Sequence, residues 1–442
     1  EGIGVQFQMI EDTLLVVQPV SNGPSEKIGI LAGDRIIAVN DSAIAGVKMS
    51  TEEIMKRLRG PKGSKVNLKI VRRGVQDPLV FTVKRDKIPI LSLDASYMIQ
   101  PKTGYIRINR FGATTAEEFK KAMKELQKQG MKDMILDLQG NGGGYLNAAI
   151  DLANEFLGQK ELIVYTEGRT AKRSDFYAKG NGEFRNGRLI VLVDEYTASA
   201  SEIVSGAVQD WDRGIIVGRR SFGKGLVQRP IDLPDGSMIR LTIARYYTPA
   251  GRCIQKPYDS STDYNKDLIE RFNHGELMNA DSIHFPDSLK VQTKKLGRTV
   301  YGGGGIMPDY FVPIDTTLYT DYHRNLVAKG AVIKFTMKFI EGHRKELANK
   351  YKKFESFNEK FIIDDDMLAT LREMGEKEGV KFNEEQYQKS LPLIKTQLKA
   401  LIARDLWDMN EYFRVMNTTN ESVQKALEIL NSEEYQKKLR AN

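Results

Sequence analysis

Apolar and polar residues alternate in several short segments of the first 86 residues. A period of two predicts β-strands that bury one face. Between two of these segments, Thr51–Leu58 has helical spacing, and Ser50 or Thr51 can act as its N-cap. The pattern predicts a small β-rich module with one or two helices. Its predicted strands are Leu14–Val17, Arg35–Val39, Val66–Val71 and Leu79–Val83.

From about residue 100 to residue 255, predicted strands alternate with predicted helices. Such alternation is typical of βαβ units in a parallel or mixed sheet, whose ligands usually bind at the carboxyl ends of the strands. The Gly140–Gly144 loop and the Tyr196–Ser201 segment both follow predicted strands. The predicted strands are Tyr105–Ile108, Met134–Leu138, Leu189–Val193 and Ile215–Val217, and the predicted helices are 115–129 (opened by a capping box of Thr115 and Glu118), 147–156 and 199–209.

Glycine marks a boundary near residue 313. Residues 1–313 contain 34 of the 38 glycines, whereas the rest of the chain contains four glycines and one proline, Pro392. A segment poor in both residue types favours helix. We therefore predict three domains, at 1–86, 87–315 and 316–442, with the last one helical. Helical spacing in this region is clearest for Leu391, Ile394, Leu398, Leu401 and Ile402.

Histidine and cysteine are scarce, and this narrows the possible chemistry. The 442 residues include four histidines, none before His274. Chemistry in the first 273 residues therefore uses neither a histidine base nor a histidine metal ligand. The single cysteine, Cys253, excludes an intramolecular disulfide and a cysteine-cluster metal site.

Charge and hydropathy limit the possible partners. A net charge of +8 is weakly basic for this length, so we expect no nucleic-acid partner. No stretch approaches the ~18 apolar residues of a membrane-spanning helix, so we expect no integral membrane segment. The chain begins at Glu1 rather than Met, and we expect that any signal or anchor segment was removed.

The segment Asp194–Glu202 joins a predicted apolar strand to a predicted helix. Ser199 and Glu202 have the spacing of a capping box, which is a sufficient structural explanation. A hydroxyl at such a junction also lies at a helix N-terminus, where backbone N–H groups can stabilise an oxyanion. The residues alone do not decide whether Thr197, Ser199 or Ser201 would be a nucleophile.

A serine nucleophile without a nearby histidine needs another base. Lysine can serve if burial among apolar groups lowers its pKa from ~10.4 toward neutrality. Lys224 lies between two glycines, and its neighbours Phe222, Leu226 and Val227 could desolvate the amine. Gln228 could orient the amine through a hydrogen bond. The structural alternative is a lysine that faces solvent in a glycine turn.

The Gly140–Gly144 loop follows the strand that ends at Leu138. It fits either a plain glycine-rich turn or an anion-binding nest in which a glycine N–H is the second oxyanion donor. The dinucleotide fingerprint G-x-G-x-x-G is absent.

Together these three segments resemble the C-terminal processing proteases, also called tail-specific proteases, a family of Ser-Lys serine peptidases. The resemblance covers about residues 1–313, and the 25-residue gap between Ser199 and Lys224 also matches. It implies an α/β catalytic domain of the Clp protease/crotonase-like type, built from ββα units. The matching motifs are Leu136-Asp-Leu-Gln-Gly-Asn-Gly-Gly-Gly144, Thr197-Ala-Ser-Ala-Ser-Glu202, Phe222-Gly-Lys-Gly-Leu-Val-Gln228, Tyr247-Thr-Pro-Ala-Gly-Arg252 and Gly302-Gly-Gly-Gly-Ile-Met-Pro-Asp309.

The resemblance also implies a role for each site residue. Ser199 is the expected nucleophile, Lys224 the general base, and Gln228 the residue that orients Lys224. No metal or organic cofactor is implied. The expected oxyanion donors are the N–H of Ala200 and the N–H of Gly143 or Gly144.

The N-terminal module resembles a PDZ domain. Gly2-Ile-Gly-Val5 is similar to the PDZ carboxylate-binding loop, where successive backbone N–H groups face a peptide C-terminus that adds to a sheet edge. Gly29–Ile37 is similar to the helix and turn that follow this loop in PDZ domains. The resemblance implies that Gly2, Ile3, Gly4 and Val5 bind peptide tails.

The combined prediction is a serine endopeptidase that cleaves proteins near their C-terminal tails, in the periplasm or cell envelope of a bacterium. Its expected partners are protein or peptide substrates, and homo-oligomer formation stays open. One alternative is a catalytically inactive PDZ-containing scaffold that binds peptides. Two others are an acyl-CoA enzyme on the crotonase fold and a retinoid-binding protein built from the same domain. Ser199, Lys224 and Gln228 argue against the scaffold. The PDZ-like module and Lys224 argue against the acyl-CoA enzyme, and the pair of Ser199 and Lys224 argues against the retinoid-binding protein.

Overall fold

The computed structural model describes residues 1–10, 12–20, 22–257 and 266–440. The first 90 residues contain β1 (Val5–Ile10), β2 (Thr13–Pro19), α1 (Pro24–Lys27), β3 (Arg35–Val39), β4 (Ser42–Ala43), α2 (Thr51–Leu58), β5 (Lys65–Val71) and β6 (Leu79–Lys84). These strands form an antiparallel sheet in the order β1-β2-β3-β5-β6, with β4 paired to β3. In β5, Val66, Leu68 and Ile70 are buried and the residues between them are exposed, as a period of two requires.

A mixed sheet and a smaller antiparallel sheet form the middle of the chain. This part contains β7 (Leu93–Gln100), β8 (Thr103–Ile108), α3 (Thr115–Lys128), β9 (Asp133–Asp137), α4 (Leu146–Asn154), β10 (Leu162–Glu167), β11 (Ser174–Tyr177), β12 (Leu189–Val193), α5 (Ala200–Asp210), β13 (Ile215–Gly218), β14 (Leu226–Asp232), β15 (Met238–Tyr247), α6 (Asp267–Asn273), β16 (Lys290–Gln292), β17 (Thr299–Tyr301) and β18 (Tyr310–Phe311). The mixed sheet has the order β18-β13-β12-β9-β8-β7, and the smaller sheet has the order β11-β10-β15-β14. All of β12 is fully buried, so the mixed sheet lies in the core.

The rest of the chain is helical, as predicted. It contains α7 (Asp321–Ala328), α8 (Ala331–Lys350), α9 (Phe354–Lys360), α10 (Asp365–Lys377), α11 (Glu384–Leu406), α12 (Met409–Met416), α13 (Glu421–Asn431) and α14 (Glu434–Lys438). The predicted amphipathic helix is α11, in which Ile394, Leu398 and Ile402 are buried.

The chain divides into two compact units, and each unit combines two stretches of sequence. The first unit contains residues 1–90 and 316–416, and the second contains residues 91–315 together with the C-terminal stretch that begins at Asn417. Within the first unit, Arg35 forms an ion pair with Glu341 at 2.5 Å, and the guanidinium of Arg344 donates to the Ala32 carbonyl at 3.1 Å. Each unit has its own cluster or clusters of buried apolar residues.

Most predicted elements agree with the structure. The strands Arg35–Val39 and Leu189–Val193 and the helix Thr51–Leu58 have the predicted bounds, and the other predicted strands and helices differ by one or two residues at their ends. The apolar residues of these elements are buried on one or both faces, as their periodicity in the sequence predicts.

The predicted capping box of Thr115 and Glu118 is wrong. The N-cap of α3 is Thr114 rather than Thr115. The Thr115 hydroxyl accepts from the Gly112 N–H at 2.8 Å and donates to Ser92 Oγ at 2.6 Å, and the Glu118 carboxylate accepts from the Ser92 N–H at 2.8 Å. These side chains therefore anchor the segment that leads into β7, a tertiary contact that local spacing does not predict.

Candidate active site

Three loops meet at one edge of the mixed sheet. β9 pairs in parallel with β12, and β12 pairs in parallel with β13, so their carboxyl ends lie side by side. The loops that follow are 140–144, 194–199 and 219–225. Backbone hydrogen bonds connect them: the Ala198 N–H donates to the Asn141 carbonyl, and the Phe222 N–H donates to the Thr197 carbonyl, both at 2.9 Å.

Ser199 has a strained backbone in the turn between β12 and α5. Its φ is 56° and its ψ is −113°, a combination that residues other than glycine rarely adopt. Such strain persists only where the surrounding structure enforces it, and it concentrates at functional sites. Ala200 is the first residue of α5, so its N–H has no acceptor within the helix. The turn therefore holds Ser199 beside an N–H that no helical carbonyl uses.

A buried carboxylate, that of Glu202, connects the serine turn to the lysine loop. Oε2 accepts from the backbone N–H of Ser199 at 2.7 Å and from the backbone N–H of Lys224 at 2.8 Å. Oε1 accepts from the Ser221 hydroxyl at 2.5 Å and from the Gly223 N–H at 2.7 Å. Burial raises the pKa of the Glu202 carboxyl above its ordinary value, and these four donors oppose the rise.

A second buried carboxylate, that of Asp194, connects the glycine loop to the serine turn. Its Oδ1 accepts from the Gly140 N–H at 2.9 Å and from the N–H groups of Tyr196 and Thr197 at 3.0 Å. Burial raises the pKa of this carboxyl. No sequence motif points to a role for Asp194, although a carboxylate directly after a fully buried strand is a detectable signal.

Lys224 is exposed, and this corrects the expected desolvation of its amine. Phe222, one of the expected neighbours, instead lies under the amine of Lys256, with 3.9 Å between Nζ and the ring centre. In the part of the chain that the structure describes, no hydrogen bond joins the Lys224 amine to Ser199 or Gln228. The backbone of the lysine loop is thus held against the serine turn, while its side chain is in solvent.

Gln228 lies on β14, opposite Thr242 on β15, and is exposed. A different glutamine supports the lysine loop. Gln255 is buried, and its Oε1 accepts from the Gly225 N–H at 2.9 Å. Glu202 and Gln255 together bind the backbone N–H groups on both sides of Lys224, and no periodicity or spacing pointed to Gln255.

Gly143 packs directly against the serine turn. Its φ is 95°, and a Cβ at this position would lie 2.7 Å from Ser199 Cβ and from the Ala198 carbonyl oxygen, so only glycine fits. The Gly143 N–H donates to Asn141 Oδ1 at 2.8 Å and is therefore already used. Of the two expected glycine donors, Gly144 is the one whose N–H is not committed to Asn141.

The N-terminal loop is part of the first sheet's core. The Gly2 N–H donates to the Asp86 carbonyl at 3.1 Å, so it is not available to a ligand carboxylate. The Ile3 side chain is buried, and Ile3 O accepts from the N–H and the hydroxyl of Ser25. Gly4 has a φ of 73°, and β1 begins at Val5. These contacts leave the N–H groups after Gly2 as the candidates for carboxylate binding.

The described residues contain neither a metal-binding cluster nor a helix that could cross a membrane. Across residues 1–10, 12–20, 22–257 and 266–440, no group of three or more His, Cys, Asp or Glu side chains could hold a metal ion. Over those same residues, the helices are too short or too polar to cross a membrane.

Sequence models of known families cover three parts of the chain. Peptidase family S41 matches residues 102–262, a PDZ domain matches residues 2–87, and a family of unknown function, DUF8443, matches residues 322–408. The S41 match contains the three loops that meet at the sheet edge. The PDZ match contains the loop from Gly2 to Val5.

Two curated relatives support the same assignment, and one solved structure also shows similarity. A CtpA-like serine protease of Staphylococcus aureus (strain MRSA252) is 31% identical over 84% of this chain and 72% of its own length. The carboxyl-terminal-processing protease of Synechocystis is 39% identical over 58% of this chain and 60% of its own length. The solved structure of a photosystem II D1 C-terminal processing protease is 28% identical, with a TM-score of 0.37, over 72% of this chain and 73% of that one.

The coverage of relatives is partial. The chain spans 53% to 62% of the length of five relatives named as carboxyl-terminal or carboxy-terminal processing proteases. It spans more than two thirds of the staphylococcal relative. The chain therefore belongs to peptidase family S41, the serine-type C-terminal processing proteases, and carries an N-terminal PDZ domain.

Proposed function

We propose that this chain is a serine endopeptidase that cleaves proteins near their C-terminal tails. Ser199 is the nucleophile, Lys224 is the general base, and Gln228 orients Lys224 when substrate is bound. The observation that carries the proposal is the shared contact on Glu202, because one carboxylate oxygen accepts from the backbone N–H groups of both Ser199 and Lys224. The strained φ of Ser199 supports the same assignment.

The reaction starts when the neutral amine of Lys224 takes the proton of the Ser199 hydroxyl. Ser199 Oγ then bonds to the substrate carbonyl carbon, and the oxyanion is stabilised by the N–H groups of Ala200 and Gly144. As the C–N bond breaks, the ammonium of Lys224 gives its proton to the leaving amine. Lys224 next takes a proton from water, whose oxygen attacks the acyl-enzyme, and the released Ser199 regains that proton.

The exposed position of Lys224 gives substrate a second role. An amine in water favours its charged form, and covering it with apolar groups favours the neutral form that the reaction needs. A peptide that lies over the three loops supplies this cover. The domain at 1–86 is proposed to bind substrate tails through Ile3, Gly4 and Val5, which brings the tail to the domain at 87–315. No step is assigned to residues 316–416, the part of the predicted domain 316–442 that belongs to the first unit.

The test is cleavage of an unfolded protein such as casein by the full chain. Wild type is expected to cleave, whereas Ser199→Ala, Lys224→Ala and Lys224→Arg reduce cleavage to background. A fluorophosphonate probe labels wild type and leaves Ser199→Ala unlabelled. Undiminished cleavage by Ser199→Ala or Lys224→Ala contradicts the mechanism, and an inactive, unlabelled wild type that still binds tail peptides favours the scaffold alternative.

Location and tail recognition are proposed from the family. We place the protein in the periplasm or cell envelope, which fractionation of the source cells tests. Tail recognition predicts that Ser199→Ala binds a peptide with a free C-terminal carboxylate and binds its C-terminal amide at least ~10-fold more weakly. Equal binding of the two peptides contradicts carboxylate recognition.

A further inference from the structure

The glycine loop begins with a residue whose main chain and side chain are both held. The Gln139 N–H donates to Asp137 Oδ1 at 2.8 Å, and its carbonyl accepts from Arg107 Nη2 at 2.8 Å. Its side-chain oxygen Oε1 accepts from Asn420 Nδ2 at 3.0 Å. Asn420 is distant in sequence but belongs to the same compact unit. The C-terminal stretch thus reaches the loop that carries the proposed oxyanion donor.

Asn420 has a second contact that fixes the direction of its amide. It is the N-cap of α13, and its Oδ1 accepts from the Val423 N–H at 3.2 Å. Because the Asn420 oxygen caps the helix, the NH₂ group of the same side chain is left to donate to Gln139. One side chain therefore starts α13 and holds the glycine loop.

The C-terminal stretch is anchored on both sides of this contact. Before it, Asn417 Nδ2 donates to the hydroxyl of Tyr97 on β7 at 2.8 Å. After it, the guanidinium of Arg188 donates to the Leu430 carbonyl at 2.6 Å, and the hydroxyl of Tyr435 accepts from the Leu189 N–H at 2.9 Å. The position of Asn420 is thus fixed by the sheet itself.

A shift of Gln139 is transmitted to the oxyanion loop. The next residue, Gly140, is held by Asp194, and Asn141 accepts from both the Gly143 N–H and the Ala198 N–H. These backbone contacts have little freedom to adjust separately, because the loop packs on Ser199 without space for a Cβ at Gly143. An oxyanion donor acts only when it is placed correctly for the transition state.

We propose that residues 417–423, at the start of this C-terminal stretch, are a positioning element of the peptidase site, and that Asn420 and Gln139 are the positioning residues through which they act. The inference rests on the proposed function, because it assigns the 140–144 loop to oxyanion binding. It gives this C-terminal stretch a role in turnover that is separate from the helices of residues 316–416.

The chain offers a matched control pair. Gln100 and Asn431 also form a side-chain amide pair, with hydrogen bonds of 3.1 Å in both directions, and also join the C-terminal stretch to the mixed sheet. Gln100 ends β7, which runs antiparallel to β8, so this pair lies at the opposite edge of the sheet from the three loops. A general loss of anchoring affects both pairs, whereas positioning of the site affects only Gln139 and Asn420.

The experiment measures kcat and KM of the full chain on a fluorogenic peptide, with the melting temperature as a control. Gln139→Ala and Asn420→Ser are each expected to lower kcat about tenfold with KM unchanged. Serine at 420 keeps the N-cap and removes the amide donor. The double variant is expected to lose no more than either single variant, since both remove one interaction. Gln100→Ala and Asn431→Ser are expected to keep wild-type kcat.

Hydrogen exchange provides a readout that does not depend on turnover. The backbone amides of residues 140–144 are expected to exchange about tenfold faster in Gln139→Ala than in Gln100→Ala. Wild-type kcat in Gln139→Ala, or an equal loss in Gln100→Ala, overturns the inference while Ser199→Ala remains inactive. If Ser199→Ala cleaves like wild type, the proposed function fails first, and this inference fails with it.

Discussion

Two Ser-x-x-Glu boxes lie at helix N-termini in the part of the chain that the structure describes, and they differ in backbone conformation, burial and the donors that they bind. At α2, Ser50 has an ordinary extended backbone, with φ −66° and ψ 148°, and exposed Glu53 binds the Ser50 N–H at 3.4 Å. At α5, Ser199 has a φ of 56°, and buried Glu202 binds four donors from two loops. The first box stabilises a helix end, and the second assembles a site.

The comparison shows which structural features give a capping box a role beyond the helix end. Both boxes satisfy backbone donors of their own helix, which is the ordinary role of the motif. Only Glu202 also binds backbone donors of a loop that follows another strand, and only its carboxylate is removed from water. Burial and the second loop, rather than the pattern, give the α5 box its proposed function.

The largest effect that separates the two boxes is expected from Glu202→Gln. An amide keeps one acceptor oxygen and turns an NH₂ group toward two donors, so the serine turn and the lysine loop separate. We expect kcat to fall by about 10²-fold or more, because misplacement by about 1 Å has that effect. Glu53→Gln is the matched control, with kcat within about twofold of wild type. Equal losses in the two variants remove the distinction between the boxes.

The second largest effect on kcat is expected at Gly143, which packs against Ser199. Among the residues that the structure describes, no glycine packs against Ser50 in this way. Gly143→Ala places a Cβ against Ser199 and the Ala198 carbonyl, and we expect kcat to fall roughly 10- to 100-fold. In Gly142→Ala the Cβ meets nothing within 4 Å, so its kcat stays near wild type. Steady-state kinetics of the two variants decide the point, and equal activities contradict close packing against the serine turn.

Acid is expected to affect the α5 box through Glu202. Burial raises the pKa of Glu202, so on acidification the native protein takes up this proton before an ordinary glutamate does. Since the native pKa is raised, protonation of Glu202 increases its contribution to the free energy of unfolding as pH falls. The protonated carboxyl, however, no longer accepts four donors, so below this pKa kcat falls by about a further tenfold per pH unit, in addition to the loss caused by the need for a neutral Lys224 amine.

The pH profile of kcat checks this prediction, and the profile of Glu53→Gln serves as the reference. Both proteins are expected to show the same acid limb, which becomes steeper at a pH above that at which an exposed glutamate titrates. Steepening only at the ordinary glutamate pKa, with melting temperature and kcat lost together, contradicts a local effect at Glu202.

The smallest effect is expected in stability. Ser199→Gly relieves the strained φ, and we expect the free energy of unfolding to rise by about 1 kcal/mol. Ser50→Gly has no strain to relieve and loses a few tenths of a kcal/mol as a poorer cap. Denaturant titrations at fixed pH measure both. A stability loss in Ser199→Gly as large as that in Ser50→Gly shows that the serine turn stores no strain.

The sequence predicts the strands and helices whose buried apolar residues are regularly spaced, and it predicts the residues that belong to a motif. β12 is predicted correctly because it is a run of five apolar residues, all of which the fold buries. Ser199 and Lys224 are identified because each belongs to a short local motif. The opening of α3 is mispredicted because Thr115 and Glu118 bind Ser92, a residue outside the helix.

The remaining features depend on contacts between distant residues. The exposure of Lys224 does not follow from its apolar neighbours, since the Phe222 ring faces Lys256 rather than the Lys224 amine. The second role of Glu202 is set by donors about 20 residues later in the chain. The bond between Gln139 and Asn420 spans 281 residues, and no spacing rule covers such a distance.

The order of the two units along the chain also has an evolutionary consequence. The second unit is interrupted after residue 315 and resumes at residue 417. The intervening residues 316–416 form the first unit together with residues 1–90, and the family of unknown function lies wholly within residues 316–416. Evolutionary change in these helices is therefore constrained by their contacts with residues 1–90, such as the ion pair between Arg35 and Glu341.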